Sequence, residues 1–542
     1  MSKTTRPSSP LTPRRRTVLG GLATSVALTG ALTACGGRNA SSKEGELRIL
    51  VLKHSLTKPM ADMAWTAALE EAAGIPIVWE EVSADWDQKK STMLAAGDIP
   101  DLIVGTNAIN DTDLATYGTL FDDLTDDLAS LPNVEAMFEA KPELRALATR
   151  PDGEIYAVPG YKRFWPPTVQ HQYINRQWLD TLGLEMPTTW DELFDVLIAF
   201  RDGDPTGTGA AVIPMDWSPV GTGGFGYFQS ILLLGSTGLP LAGGGGQGYF
   251  LQDGTVGNFL TDERYREVVS FLARCNAEGL ISGDVMTQDY STYQSVARGP
   301  GDGVATVGFT WGWTRSDRFG PEIYEQYEAM GVLQVTAGQT EPVTWSFDQN
   351  GENFPANQVL LSATSKNKEA ALQAINAFYE QDMSIQVLFG DIGPNIEKTG
   401  DNSYRVLPAA DGTDPSTWKW TSSLADNGPM WIRDDIEVEL PTDLQEANDE
   451  AVPLQPAIDN MDLEKDVYPG MFIKMSTEDL NAMTLVNTTL MNSTMTRFAE
   501  WVTNGGIDEQ WDAYVAEVEE TGVAENIATM QRYYDEYMAS KS

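Results

Sequence analysis

Between residues 47 and 104 the apolar positions fall into short blocks separated by polar punctuation. Leu47-Arg48-Ile49-Leu50-Val51-Leu52 reads as a buried strand that ends in the polar turn Lys53-His54-Ser55. Met60–Ala73 follows with helical spacing and stops at Gly74, a residue suited to the left-handed cap of a helix. Ile75–Val82 reads as a second strand. Asp87–Ala96 is helical up to Gly97-Asp98-Ile99-Pro100, and Asp101–Val104 is a third strand. Strand, helix, strand, helix, strand predicts right-handed βαβ units on a parallel sheet. Ligands of such sheets sit beyond the carboxyl ends of strands, which singles out the loops starting at Lys53 and Gly105.

The N-terminus has a different pattern. Lys3, Arg6, Arg14, Arg15 and Arg16 precede the apolar stretch Val18–Ala34, which ends in Leu32-Thr33-Ala34-Cys35-Gly36. A basic region ahead of a short apolar one is a secretory signal, and it is marginal for a membrane-spanning helix. Its end resembles the bacterial lipobox, in which the cysteine is lipidated and becomes the first mature residue. Arg15-Arg16-Thr17-Val18-Leu19 is similar to a twin-arginine export signal, and ordinary secretory export fits as well. Residues 1–34 are therefore expected to be a signal peptide and 35–45 a lipidated tether, with the chain held at the extracytoplasmic face of the membrane through Cys35.

Composition narrows the functional classes. The 542 residues carry 36 Lys and Arg against 78 Asp and Glu, a net charge of −42, which argues against nucleic acid as a partner. Hydrophobic residues at 42% can build a large core, and the length fits two large lobes. Two cysteines exclude a disulfide scaffold; with Cys35 lipidated, Cys275 should be a packed thiol. Two histidines, His54 and His171, leave little for a zinc site or a Ser-His-Asp triad.

Several longer motifs resemble the sugar-binding lipoproteins of bacterial ABC importers, the extracellular solute-binding proteins of family 1. They are Met93-Leu94-Ala95-Ala96-Gly97-Asp98-Ile99-Pro100-Asp101-Leu102-Ile103, then Glu154-Ile155-Tyr156-Ala157-Val158-Pro159, then Tyr173-Ile174-Asn175-Arg176-Gln177-Trp178-Leu179-Asp180. Pro187-Thr188-Thr189-Trp190-Asp191-Glu192-Leu193 and the C-terminal Trp501–Asp508 and Trp511–Val515 extend the likeness to the long subgroup, LplA-like lipoproteins and alginate-oligosaccharide binders. The resemblance implies an α/β periplasmic-binding-protein fold of type II, with two lobes, each a mostly parallel sheet flanked by helices, and a ligand cleft between them. Lobe 1 is expected at 46–160 plus 312–392 and lobe 2 at 165–310 plus 395–542. It further implies a monomeric, non-enzymatic receptor that passes a carbohydrate, expected to be an oligosaccharide, to ABC permease subunits. The alternative is a secreted glycoside hydrolase, which would need two carboxyls flanking the scissile bond.

A sugar ring offers a C–H face to aromatic rings and a rim of hydroxyls to polar side chains. Fifteen tryptophans supply the first, although most of them are expected at core or lobe-interface positions. Gly303–Val307 reads as a strand, and Gly308-Phe309-Thr310-Trp311-Gly312-Trp313-Thr314 after it resembles the strand and loop of maltose-type binding proteins. By that likeness Trp311 faces the ligand and is partly exposed, while Trp313 packs behind it. Tyr161, Arg163 and Trp165 occupy the first crossover, as ligand contacts or as hinge packing. Trp217 and Tyr227 follow a strand ending near Pro214, and Asn107 follows the third strand; all three are candidate contacts. Gly221–Gly226 and Gly243–Gly248 are loops, and neither has the spacing of a phosphate cradle. No cofactor is expected. Asp202 and Asp204 begin a calcium-loop pattern, but Thr206 and Ile213 stand where acids are needed, which leaves the loop incomplete.

Overall fold

The computed structural model of the protein describes residues 43–163, 165–221, 223–408 and 421–541. The expected signal peptide and Cys35 lie outside the described residues. In chain order the strands are β1 (Leu47–Leu52), β2 (Ile77–Val82), β3 (Leu102–Val104), β4 (Ala157–Val158), β5 (His171–Asn175), β6 (Ile213–Met215) and β7 (Tyr249–Gln252). They continue with β8 (Thr255–Asn258), β9 (Val307–Gly312), β10 (Tyr327–Ala329), β11 (Val359–Leu361), β12 (Ile396–Gly400), β13 (Ser403–Val406) and β14 (Glu437–Glu439).

Lobe 1 is built on the sheet β2-β1-β3-β11-β4. β2, β1 and β3 are parallel, as the βαβ pattern predicts, and β11 runs antiparallel between β3 and β4. Side chains alternate between the two faces with the period of a strand. Leu47, Ile49, Val51, Leu102, Val104, Val359 and Leu361 enter one core; Leu50, Ile103 and Leu360 enter another on the opposite face. Burial on both faces is why these strands read as near-continuous apolar runs.

Lobe 2 is built on the sheet β10-β5-β9-β6. Only β6 and β9 are parallel; β5 runs antiparallel to both β9 and β10. The expectation of a mostly parallel second sheet is corrected here, because the chain enters the lobe along β5 and runs back along β9. Helix Trp190–Asp202 covers this sheet and starts at a capping box. Thr189 accepts from the Glu192 N–H, and Glu192 reaches back to the Thr189 N–H. Helix Glu263–Ala277 buries Cys275, whose thiol is pushed up to about 12 by burial and is therefore inert.

The lobe boundaries differ from those read off the sequence. Phe319, Tyr327, Met330, Trp345 and Phe347 belong to the second core, so 313–347 lies in lobe 2 and not in lobe 1. Ile396, Tyr404, Val406, Met430 and Ile436 belong to the first core, so 396–436 lies in lobe 1. The chain thus crosses between lobes near 160–170, near 347–358 and near 437–452. Asp348 fastens the first two crossovers together. Its carboxylate accepts from the Ser346 hydroxyl (2.9 Å), the Gly243 N–H (2.9 Å) and the Thr168 hydroxyl (3.2 Å). An aromatic line also runs through the hinge. Tyr161 meets Phe354 at 5.1 Å, Phe354 meets Phe472 at 5.3 Å, and Phe472 stacks on Tyr537 of the C-terminal helix at 6.3 Å.

Candidate functional site

The loops at the carboxyl ends of β1, β3 and β4 form one wall. Gln358, wholly buried just before β11, ties the β3 loop to the segment around Gly428–Met430. Its Nε2 donates to the Gly428 carbonyl (2.6 Å) and toward the Thr106 hydroxyl (3.3 Å), while its Oε1 accepts from the Met430 N–H (3.3 Å). Gly160 lies so close that a Cβ there would stand 1.8 Å from Gln358 Oε1; only glycine lets the crossover pass. Asn107 is exposed at the tip of the β3 loop, with φ of +51° and its N–H held by the Ala356 carbonyl (3.0 Å).

In lobe 2 the remaining candidates lie at the start of β5 and beyond the ends of β6 and β9. Trp313, half-buried just beyond β9, meets Trp165 edge-on with centroids 5.2 Å apart. Trp165 is also half-buried, and its carbonyl is held by Gln349 Nε2 (3.0 Å). Behind them His171 contacts the Trp313 ring at 6.0 Å; burial lowers its imidazole to about 4, so it stays neutral. Tyr227 is 46% exposed on the loop after β6. That loop is tied to the first crossover, because the Phe228 N–H donates to Gln170 Oε1 (3.1 Å).

Three expected contacts are placed elsewhere. Trp311 is fully buried within β9, opposite Gln172 of β5, with Phe309 at 4.8 Å. Its expected partial exposure is corrected: the strand runs over 307–312 and carries Trp311 into the core, and Trp313 is the partly open member of the pair. Trp217 is likewise fully buried. Tyr161 is 5% exposed, with Lys141 over its ring and its hydroxyl donating to Asp434 (2.7 Å), so it packs the hinge. Arg163 is exposed, donates to the Ile436 carbonyl and faces Asp434 and Asp435. The sequence reading missed Lys162, which is nearly buried, ion-paired with Asp426 and 5.1 Å from the Trp165 ring centre. Only its position beside Arg163 and Trp165 marked it.

Beneath the lobe-2 wall lies a buried polar network. Arg318 and Asp216 are both wholly buried and pair at 3.0 Å. Gln288 Nε2 donates to Asp216 (3.0 Å) and to the Trp217 carbonyl (2.7 Å), and the Arg318 guanidinium lies 3.4 Å from the Tyr293 ring centre. This network joins β9, the loop after β6 and helix Tyr290–Arg298 into one support.

The third crossover carries a titratable contact. Glu450 on helix Thr442–Ala451 accepts from the Tyr173 hydroxyl (2.7 Å) and from Arg315 of lobe 2. Burial first, and then the neighbouring Glu446, push its carboxyl up to about 7 from its ordinary 4.5. The folded protein therefore holds a proton there that the unfolded chain has released. Stability from this group is fully present below about pH 4.5 and declines as pH rises toward 7. A melting-temperature profile should show that decline, and Glu450→Gln should flatten it across this window. A parallel profile in the variant would contradict the assignment.

Among the described residues no group of three or more His, Cys, Asp or Glu is placed to hold a metal ion. In the Asp202–Gly209 loop, Asp202 pairs with Arg201 at 2.7 Å and Asp204 accepts from the Gly209 N–H at 3.0 Å, so the acids serve the loop's own closure.

Two α/β lobes joined by three crossovers, with half-exposed aromatics where they meet, define a two-lobed binding protein. The chain belongs to the bacterial extracellular solute-binding protein family, whose sequence profile matches residues 54–384. It is 29% identical over 552 residues to the fructooligosaccharide ABC transporter substrate-binding protein FusA of Streptococcus pneumoniae, covering 94% of this chain and 96% of that protein. The solved structure of an HMO-binding, ABC-transporter-associated solute-binding protein from Bifidobacterium longum infantis is 33% identical. It superposes with a TM-score of 0.82 over 91% of this chain and 99% of that one. FusA in complex with kestose is similar at 26% identity and a TM-score of 0.74, over 91% and 100% of the two chains.

Proposed function

We propose that the protein is a monomeric receptor that captures an oligosaccharide between its lobes and delivers it to an ABC permease, without catalysis. The observation that carries this reading is the Trp165–Trp313 pair, half-buried at the first crossover, with Tyr227 and Asn107 exposed on the flanking loops. Aromatic faces and neutral amides are the chemistry a sugar requires. The named relatives, a fructooligosaccharide-binding and an HMO-binding protein, support the same ligand class. Capture works through differential affinity: a ligand touching both lobes shifts the open–closed equilibrium toward the closed form. The test is calorimetry and thermal shift against an oligosaccharide panel, with chromatography of the incubated sugars. One-to-one binding with unchanged sugars is expected; product formation without stoichiometric binding would overturn the reading.

The receptor is held at the outer face of the membrane by lipid on Cys35. The support is the Leu32-Thr33-Ala34-Cys35 sequence, together with the finding that no helix among the described residues is long and apolar enough to cross a membrane. Cys35→Ser removes the thiol that would carry the lipid. The variant should leave the membrane fraction and lose the lipid mass; a wild-type protein already free of lipid would contradict the anchor.

A further inference from the structure

Resting on the carbohydrate reading above, we infer that the cleft selects an uncharged oligosaccharide and turns away acidic ones. The observation is how the cations around the site are used among the described residues. Lys53, at the end of β1, is ion-paired with Glu81 and donates to the Thr57 carbonyl (2.9 Å) and the Lys58 carbonyl (3.0 Å), which occupies all three of its N–H donors. Lys58 faces Asp391 at 4.0 Å. Lys162 is paired with Asp426, and Arg163 serves the Ile436 carbonyl while facing Asp434 and Asp435. Lys474, ahead of helix Thr477–Asn504, pairs with Asp111 at 2.7 Å beside the β3 loop.

Each of these cations already has an acid of the chain as its counter-charge. A uronate ligand needs the opposite: an ammonium or, better, a guanidinium fork free to take its carboxylate in a closing, drying cleft. Here an incoming carboxylate would have to displace Glu81, Asp426 or Asp111 from its partner, and the displaced acid would then stand unpaired beside it. The whole-chain charge of −42 adds a long-range field that opposes approach of an anion. A neutral oligosaccharide meets none of these costs. It finds instead the rings of Trp165, Trp313 and Tyr227 and the amide of Asn107.

The experiment separates charge from shape. The wild-type protein is titrated calorimetrically with kestose, maltotriose, lacto-N-tetraose and trigalacturonate. The tightest neutral binder is then compared with the same sugar oxidised at its primary hydroxyls to the uronate. The oxidised form is expected to bind at least about tenfold more weakly, or not at all. Equal or tighter binding of the oxidised sugar, or a preference for trigalacturonate, would overturn the inference while leaving the carbohydrate reading intact. Failure of every sugar, neutral and acidic, would overturn the carbohydrate reading itself, and this inference with it.

Discussion

Trp313→Ala should weaken oligosaccharide binding by about 5- to 150-fold, the range expected when an aromatic anchor worth ~1–3 kcal/mol is lost. The indole sits half-buried beyond β9 with Trp165 against its edge, so it combines a rigid apolar face with partial exposure. Trp165→Ala should act in the same direction. The double variant should lose less than the sum of the two, because each ring holds the other in place. Trp311→Ala is the contrasting change. That side chain is wholly buried in β9, and its truncation should cost about 3–5 kcal/mol of folding stability. Calorimetric titration beside differential scanning calorimetry checks both. If Trp313→Ala binds like wild type while a folded Trp311→Ala has lost the ligand, the roles within the pair are reversed.

Arg318→Met should destabilise lobe 2 by about 3–5 kcal/mol, since it leaves the Asp216 carboxylate buried without its counter-ion. Burial already holds the Asp216 carboxyl above its usual range despite Arg318 beside it. Removing both charges in Asp216→Leu/Arg318→Met should recover much of the loss, because an apolar pair of matching volume avoids both desolvation costs. Ligand affinity should fall in the double variant, because Gln288 would lose the Asp216 carboxylate that anchors it while it holds the Trp217 carbonyl. Equilibrium denaturation reads the stability. A single variant as stable as wild type would show that the pair is not the support described here.

The first lobe was legible in the sequence because β1 and β3 are buried on both faces and their helices end at glycines with positive φ, Gly74 and Gly97. The misplaced Trp311 has a local cause. Gly299, Gly301 and Gly303 all adopt positive φ and keep the chain turning, so β9 starts at Val307 and not at Gly303. Val307-Gly308-Phe309-Thr310-Trp311-Gly312 alternates large and small, which is a strand pattern in its own right. Gly308 lies so near Phe200 that a Cβ would stand 2.5 Å from that ring. The lobe boundaries were not legible, because burial in one core or the other leaves no mark on an apolar run; Trp345 and Ile436 differ only in which sheet they meet. In the first crossover the aromatics Tyr161 and Trp165 have no periodicity to tell a hinge side from a cleft side. The ring of Tyr161 goes to Phe354 and Trp165 to Trp313.

Under the proposed mechanism, ligand is held by closure of the two lobes about their crossovers. Small-angle X-ray scattering on the protein lacking residues 1–35, titrated with the oligosaccharide that binds in calorimetry, measures this directly. The radius of gyration should fall on saturation, with the same midpoint as the binding heat, and should not fall in the Trp165→Ala/Trp313→Ala variant at the same sugar concentration. A wild-type radius that stays constant through saturation would contradict capture by closure.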